Sequence, residues 1–436
     1  YKVNEDKYNI AKLNGMFLTI FTIIGTVALV IGTILTLNVD IILGNKLTVE
    51  EHFTAKILMA ILIFNIALSF PVSVFNSYIT VNEEYIFQKV LILIKTIASP
   101  FLMLPLLLLG YKSIGVVLSI TILNVIVEVI NVIFCLKKLK IKFLFIEFDF
   151  SLMKDMAVFS SYIFLNMIVD QINWNLDKFI IGRFWGTVNV AIYGVASQLN
   201  TYYMTLSTSI SNVFVPRVNK MVASDSSDND LTVLFTRIGR VQFIVLSLIC
   251  TGLIFFGRPF INMWADSSYD EAYIITLILV IPVTIPLIQN IGIEIQRAKN
   301  MHKFRSQLYI FIAIIDIIMS IPLTKLYGGI GAALGTSLAL LIGNVFIMNI
   351  YYHKKTGLNM RYFWLRIIKF IPAFIVPVII GILMVLFVNL YKPIQFLICG
   401  IIYVIVFCIS MWLLGMNQYE KDLVAYPIKK ILKKFN

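Results

Sequence analysis

Residues 156–178 carry Asn166, Asp170, Gln171, Asn173, Asn175, Asp177 and Lys178 in an otherwise apolar run. At 100° per residue Asn166, Asp170, Asn173 and Asp177 share one helix face, and Gln171, Asn175 and Lys178 form the adjoining one. A central Asp or Lys facing lipid costs about 2.5–3.5 kcal/mol on translocon scales, so the stripe must face protein or water. It is read as a hydrophilic cavity wall that takes a polar substrate; the alternative is internal polar packing in which Lys178 or Arg183 neutralises Asp177. The next run, 187–215, adds an uncharged surface: Gln198, Tyr202 and Tyr203, with Asn200, Thr201, Thr205, Ser207, Thr208, Ser209, Ser211 and Asn212. Hydroxyls, amides and aromatic faces suit sugars, and Ser and Thr equally serve helix packing in membranes.

Three further charges fall inside apolar runs: Lys95, Glu128 and Asp316. Lys95, Lys178 and Arg183 would attract a phosphate-bearing group, and Asp170 or Asp316 would bind Na⁺ or H⁺. As structural groups they would instead form ion pairs, Lys95 with Glu128 across adjacent helices among them. Catalytic constellations are absent: there are no paired carboxylates in a loop, no Asp-rich site, no nucleophile with a histidine base, and no Walker or dinucleotide pattern. The four cysteines lie in apolar runs and the three histidines are far apart, so neither a disulfide framework nor a metal site is indicated, and no cofactor is expected.

The elements that hold these residues are membrane helices. Of 436 residues, 59% are hydrophobic and 14% charged, against about 25% charged in soluble domains. Runs of about 20 apolar residues give twelve candidate spans: 15–37, 57–80, 86–110, 114–136, 156–184, 187–215, 238–257, 272–295, 306–325, 329–351, 366–390 and 393–415. Lys and Arg alternate between their connections. One set of segments (1–14, the turn at Lys89, 137–155, 216–240, 296–305, 352–366 and 416–436) holds 26 of the 36, and the opposite set holds 7. The net charge of +13 is therefore topogenic, with both visible ends cytoplasmic, and nucleic acid is not an expected partner. A secondary reading gives Lys429, Lys430, Lys433 and Lys434 to anionic lipid headgroups.

An internal repeat is visible. Tyr111-Lys-Ser-Ile-Gly115-Val-Val-Leu118 and Tyr327-Gly-Gly-Ile-Gly331-Ala-Ala-Leu334 open two spans 216 residues apart. A six-helix repeat would place two helices, about 60 residues, before Tyr1, giving about fourteen spans in all. The expected organisation is an all-α polytopic membrane protein: 1–136, an N-terminal bundle lacking its first two helices; 137–155, a cytoplasmic connection; 156–351, a C-terminal six-helix bundle; and 352–436, two further helices and a basic tail. Gly331, Gly335, Ala339 and Gly343, four residues apart, make a smooth face for close packing. Prolines 71, 100, 105, 282, 286, 322, 372 and 377 would bend spans and provide hinges.

The segment Asp177-Lys178-Phe-Ile-Ile-Gly182-Arg-Phe-Trp-Gly186, followed by Val190-Ala-Ile-Tyr193-Gly-Val-Ala196, resembles the seventh-helix pattern of bacterial polysaccharide export flippases of the multidrug/oligosaccharidyl-lipid/polysaccharide exporter superfamily. Tyr1-Lys-Val-Asn-Glu-Asp resembles the stretch after that family's second helix. The resemblance implies a MATE-like fold and alternating access in the bacterial cytoplasmic membrane. It further implies translocation of undecaprenyl-pyrophosphate-linked oligosaccharide repeat units for O-antigen, capsule or exopolysaccharide. Membrane lipids and, as further partners, a polymerase and chain-length machinery go with that reading. The rivals are a drug/cation antiporter of the same superfamily and a lipid II flippase, with a membrane-embedded glycosyl polymerase or ligase a minor alternative because the external connections are short. If Lys95 and Lys178 draw in the pyrophosphate, replacing both by Ala lowers transport at unchanged protein level; retained transport in vesicles removes that role.

Overall fold

The computed structural model describes residues 7–43, 47–145, 175–299 and 301–423, together with Ser151, Met153, Lys154, Ser160, Met167, Gln171 and Ala425. Among them there is no strand. Among the described residues, eight helices are long and apolar enough to cross a membrane, or nine when the pair Met360–Ile368 and Ile371–Phe387, bent by 41°, counts as one span. The chain is thus a multi-pass membrane protein. The twelve spans expected from sequence exceed this number. Most of 156–174 lies outside the described residues, 187–212 is too polar to qualify, and 303–356 counts once although it is broken.

The chain forms two compact units, Tyr1–Ile163 and Phe164–Asn436. In the first, α1 (Lys7–Leu37) is followed by a short α2 (Val39–Leu43), α3 (Val49–Val81), α4 (Tyr85–Leu108) and α5 (Lys112–Lys137). Thr48 and Glu51 make a reciprocal capping box that starts α3. α3 packs against both α1 and α5. A Cβ on Gly25 would lie 2.6 Å from the Ala67 carbonyl oxygen, so the close α1–α3 approach depends on that glycine. Asn65 Nδ2 donates to Thr121 Oγ1 (2.7 Å) and Asn131 Nδ2 to Asn76 Oδ1 (2.7 Å), tying α3 to α5 with bonds of the kind that hold helices together in lipid. The outward faces are apolar: only 6% of the most apolar window of α4 is buried.

The second unit begins with a helix described over 175–185 (α6) and continues with α7 (Thr187–Asn212), α8 (Val215–Ala223), α9 (Asp228–Ala265), α10 (Glu271–Ile288) and α11 (Asn290–Ala298). It ends with α12 (His302–Leu340), which runs through wider turns to Thr356, α14 (Met360–Ile368) after the four-residue α13 (Met348–Tyr351), α15 (Ile371–Phe387) and α16 (Pro393–Ser410). α10 and the 303–356 segment are the most buried of the spanning helices described. Phe235, Tyr352 and Phe363 fill the main core, packed against Ile288 and Ile291.

Several expected boundaries shift. The span at 238–257 is the middle of a 38-residue helix capped by Ser227, whose hydroxyl accepts from the Asp230 amide. The span at 272–295 breaks at Gln289, after Pro282 and Pro286, and the span at 366–390 is a bent pair that begins at Met360. α12 breaks at Gly328 (φ 61°, ψ −135°), a conformation that a side chain resists. At the repeat offset, Lys112 also has positive φ (45°).

Arg240 is another correction. The sequence assigns it to a cytoplasmic connection, but it lies within α9 and is buried. Its guanidinium bonds both oxygens of buried Glu420 (2.6 and 2.9 Å) and the carbonyls of Arg366 (2.5 Å) and Gly415 (2.9 Å), over the Phe370 ring. This cluster fastens α14 and the end of α16 to α9. Removing one member of a buried pair strands the other charge, at a cost of about 3–5 kcal/mol. Arg240→Ala and Glu420→Ala are each expected to lower the thermal unfolding midpoint of the detergent-solubilised protein strongly, with Arg240→Met/Glu420→Gln recovering much of the loss.

Candidate functional site

The polar residues of α6 and α7 converge with α10 and α12 on a cavity of about 390 Å³ in the second unit. Its wall includes Asn175, Asp177 and Lys178 from α6, Leu279 from α10 and Thr336 from α12. α7 contributes Tyr193, Ser197, Asn200, Thr201, Thr205 and Thr208. The α7 positions recur at intervals of three, four or one, which is one face of a helix. Gly186 (φ 82°) turns the chain between α6 and α7 and so sets this face against Asp177.

At one side of the cavity are two buried carboxylates. Asp177 Oδ2 accepts hydrogen bonds from Tyr193 OH (2.5 Å) and Thr336 Oγ1 (2.7 Å). Thr336 Oγ1 also lies 3.1 Å from Asp316 Oδ1, which accepts a bond from Ser320 Oγ at 2.7 Å. A threonine hydroxyl has one proton, so it satisfies only one of the two carboxylates at a time. Asp177 Oδ1 is buried with no hydrogen-bond partner among the described residues. Two ionised carboxylates arranged around one hydroxyl in a helix interior repel one another. The arrangement suits one positive charge, a proton shared by the pair or a bound monovalent cation.

The break at Gly328 brings these groups together by folding 329–340 back along the first half of α12. A Cβ on Gly335 would lie 2.7 Å from Ser320 Cα, and one on Gly331 would meet the Leu323 carbonyl. The smooth glycine face therefore serves close packing, and its place in the site is to let Thr336 reach Asp316. Trp185 Nε1 donates to the Thr324 carbonyl (2.7 Å) and its ring lies against Gly328, fixing the end of α6 to the break.

The expected site residues separate accordingly. Asn175, Asp177 and Lys178 meet at the cavity, and Asn175 Nδ2 donates to Gln171 Oε1 at 2.7 Å. Asp177 takes hydroxyl donors, and none of the ion pairs within 4.0 Å among the described residues joins it to Lys178 or Arg183, the partners considered from sequence. Asn166, Asp170 and Asn173 lie outside the described residues. Gln198, Tyr202 and Arg183 are exposed and do not line this cavity. Tyr203 requires a correction: it is 1% exposed and belongs to the core, with its hydroxyl on Thr284 Oγ1 (2.7 Å) and the Leu246 carbonyl. In the first unit Lys95 and Glu128 are both half-buried, on α4 and α5. Thr336 and Ser320 were not anticipated. Ser320 stands one helical turn after Asp316, and that i, i+4 spacing was the available signal.

Comparison with known proteins adds three findings. A family model described as polysaccharide biosynthesis protein matches residues 16–236. Over 172 residues, 39% of its length, the chain is 22% identical to a protein named probable flippase AglR of Haloferax volcanii, and the match spans 36% of that relative. The fold is like that of lipid II flippase MurJ in an inward closed conformation, with a TM-score of 0.71 at 18% identity, covering 94% of this chain and 84% of that one.

Thr336→Val, which keeps shape and removes the shared hydroxyl, is expected to lower stability by about 1–3 kcal/mol, read as the unfolding midpoint in detergent; Thr336→Ser is expected to keep it. Equal midpoints for the valine variant and the wild type would show that the hydroxyl holds neither carboxylate.

Proposed function

Because this chain belongs to the polysaccharide biosynthesis protein family, we propose that it translocates lipid-linked oligosaccharide repeat units, carried on undecaprenyl pyrophosphate, across the cytoplasmic membrane. The observation that carries this reading is the cavity of about 390 Å³, walled by hydroxyls and amides of α6 and α7, within a body of membrane helices. Such walls exchange hydrogen bonds with a sugar in place of water, while a prenyl tail stays in lipid. Lys178 on the wall supplies a positive charge for a pyrophosphate, and Lys95 is given the same role in the first unit.

The cycle is alternating access by two helix bundles, and the reaction is movement of a head group without covalent chemistry. Coupling is assigned to the carboxylate pair. A cation or proton taken up between Asp177 and Asp316 relieves their repulsion and favours the arrangement in which Thr336 and Tyr193 close on them. Its release loosens that arrangement and biases the cavity toward the other conformation. Asp170, which the sequence pattern puts on the stripe of Asp177, lies outside the described residues and is proposed as a separate coupling carboxylate. A polymerase and chain-length machinery would receive the translocated unit.

The test is movement of a labelled undecaprenyl-pyrophosphate oligosaccharide in proteoliposomes, with Na⁺ and H⁺ gradients imposed in turn. Head-group movement that depends on the protein and responds to one gradient is expected, with the gradient response lost in Asp316→Asn. Absence of movement, combined with gradient-driven export of a cationic dye, would transfer the protein to the drug-antiporter class.

A further inference from the structure

We infer that a second cavity, of about 600 Å³ between α9, α14 and the chain after α16, is a binding site for the headgroup of an anionic glycerophospholipid. It shares no residue with the cavity assigned to transport. Arg237, Arg366 and Lys369 converge on it. Arg237 is held over the Tyr419 ring and Arg366 over Tyr362, each at 5.0 Å, contacts that position a guanidinium without neutralising it. Among the described residues, none of the ion pairs within 4.0 Å includes any of the three cations. The nearby carboxylate, Glu420, is already bonded to Arg240 through both oxygens. Residues 423–436 contain no Asp or Glu.

Two observations point to a lipid ligand. Thr236 lines the cavity, is 3% exposed, and its hydroxyl oxygen has no hydrogen-bond partner among the described residues. The surface beside the cations is apolar: Leu365, Ile368 and Leu414 are more than half exposed, as are Ile371 and Ile375 on α15 and Leu413 in the turn after α16. A cluster of uncompensated cations beside an apolar helix surface matches a phosphate joined to acyl chains. A free anion would leave that surface unused. The three cations also belong to, or adjoin, the basic-rich segments 216–240, 352–366 and 416–436, which places them on the membrane face where anionic lipid attracts basic residues. The inference does not depend on the transported substrate.

The test uses the purified, delipidated full chain with phosphatidylglycerol, phosphatidylcholine or inorganic pyrophosphate as probes, read by native mass spectrometry and by the unfolding midpoint. Phosphatidylglycerol is expected to bind saturably and raise the midpoint, with phosphatidylcholine and pyrophosphate doing neither. Arg366→Gln/Lys369→Gln keeps the Arg366 carbonyl that Arg240 uses, and is expected to bind phosphatidylglycerol roughly 30-fold more weakly, from the loss of two basic contacts. Equal binding of phosphatidylcholine, or unchanged phosphatidylglycerol binding by a folded double variant, would overturn the site. Pyrophosphate binding as tightly as the lipid would overturn the lipid assignment in favour of a free or carrier-borne phosphate. If the double variant does not fold, the comparison of lipids on the wild-type protein decides.

Discussion

One threonine hydroxyl stands between two carboxylates that the membrane helices have buried. In water each carboxylate would be solvated independently; inside a helix bundle each must find donors from side chains, because the backbone amides are committed to the helices. Tyr193, Ser320 and Thr336 provide them, from α7 and from both halves of α12. This requirement explains several features at some distance from the carboxylates. α12 must reverse, which it does at Gly328. Its halves must touch, which they do at Gly331 and Gly335. α6 must be locked against the turn, which the Trp185 bond to Thr324 accomplishes. These three donors still leave Asp177 Oδ1 without a hydrogen-bond partner among the described residues.

The second unit is steadied elsewhere by a charge pair of the opposite kind. Arg240 and Glu420 satisfy one another and two carbonyls, so that cluster is closed and structural. The difference between the two clusters is complementarity: a guanidinium and a carboxylate are complete together, whereas two carboxylates are not. The cations around Arg240 that lack a carboxylate lie at the surface next to exposed apolar side chains, where membrane lipid can meet both.

Much of this was legible in the sequence, and the exceptions have physical causes. The polar stripe ending at Asp177 and Lys178 stands out because lipid exposure of such residues is costly, and those two residues do meet at a cavity wall. Thr336 does not stand out, because a single threonine on a glycine-rich helix looks the same whether it packs or bonds; its role appears only once the reversal at Gly328 is known. Tyr203 was assigned to the wrong face because α7 carries hydroxyls and aromatics all around, and only tertiary packing separates the core side from the cavity side. Arg240 read as a loop charge because a basic residue near a helix end is ordinarily topogenic, and its partner lies 180 residues away. Span edges were displaced where polar residues extend a helix beyond its apolar section, as in α9.

We propose that the carboxylate pair carries one exchangeable positive charge. Infrared difference spectroscopy of the purified protein, on exchanging Na⁺ for choline over a range of pH, measures this directly. Either a carboxylate band shifted by Na⁺ or, without Na⁺, a protonated carboxyl band is expected in the wild type, and its loss in Asp177→Asn/Asp316→Asn. Two ionised carboxylates throughout the pH range, insensitive to Na⁺, would contradict it.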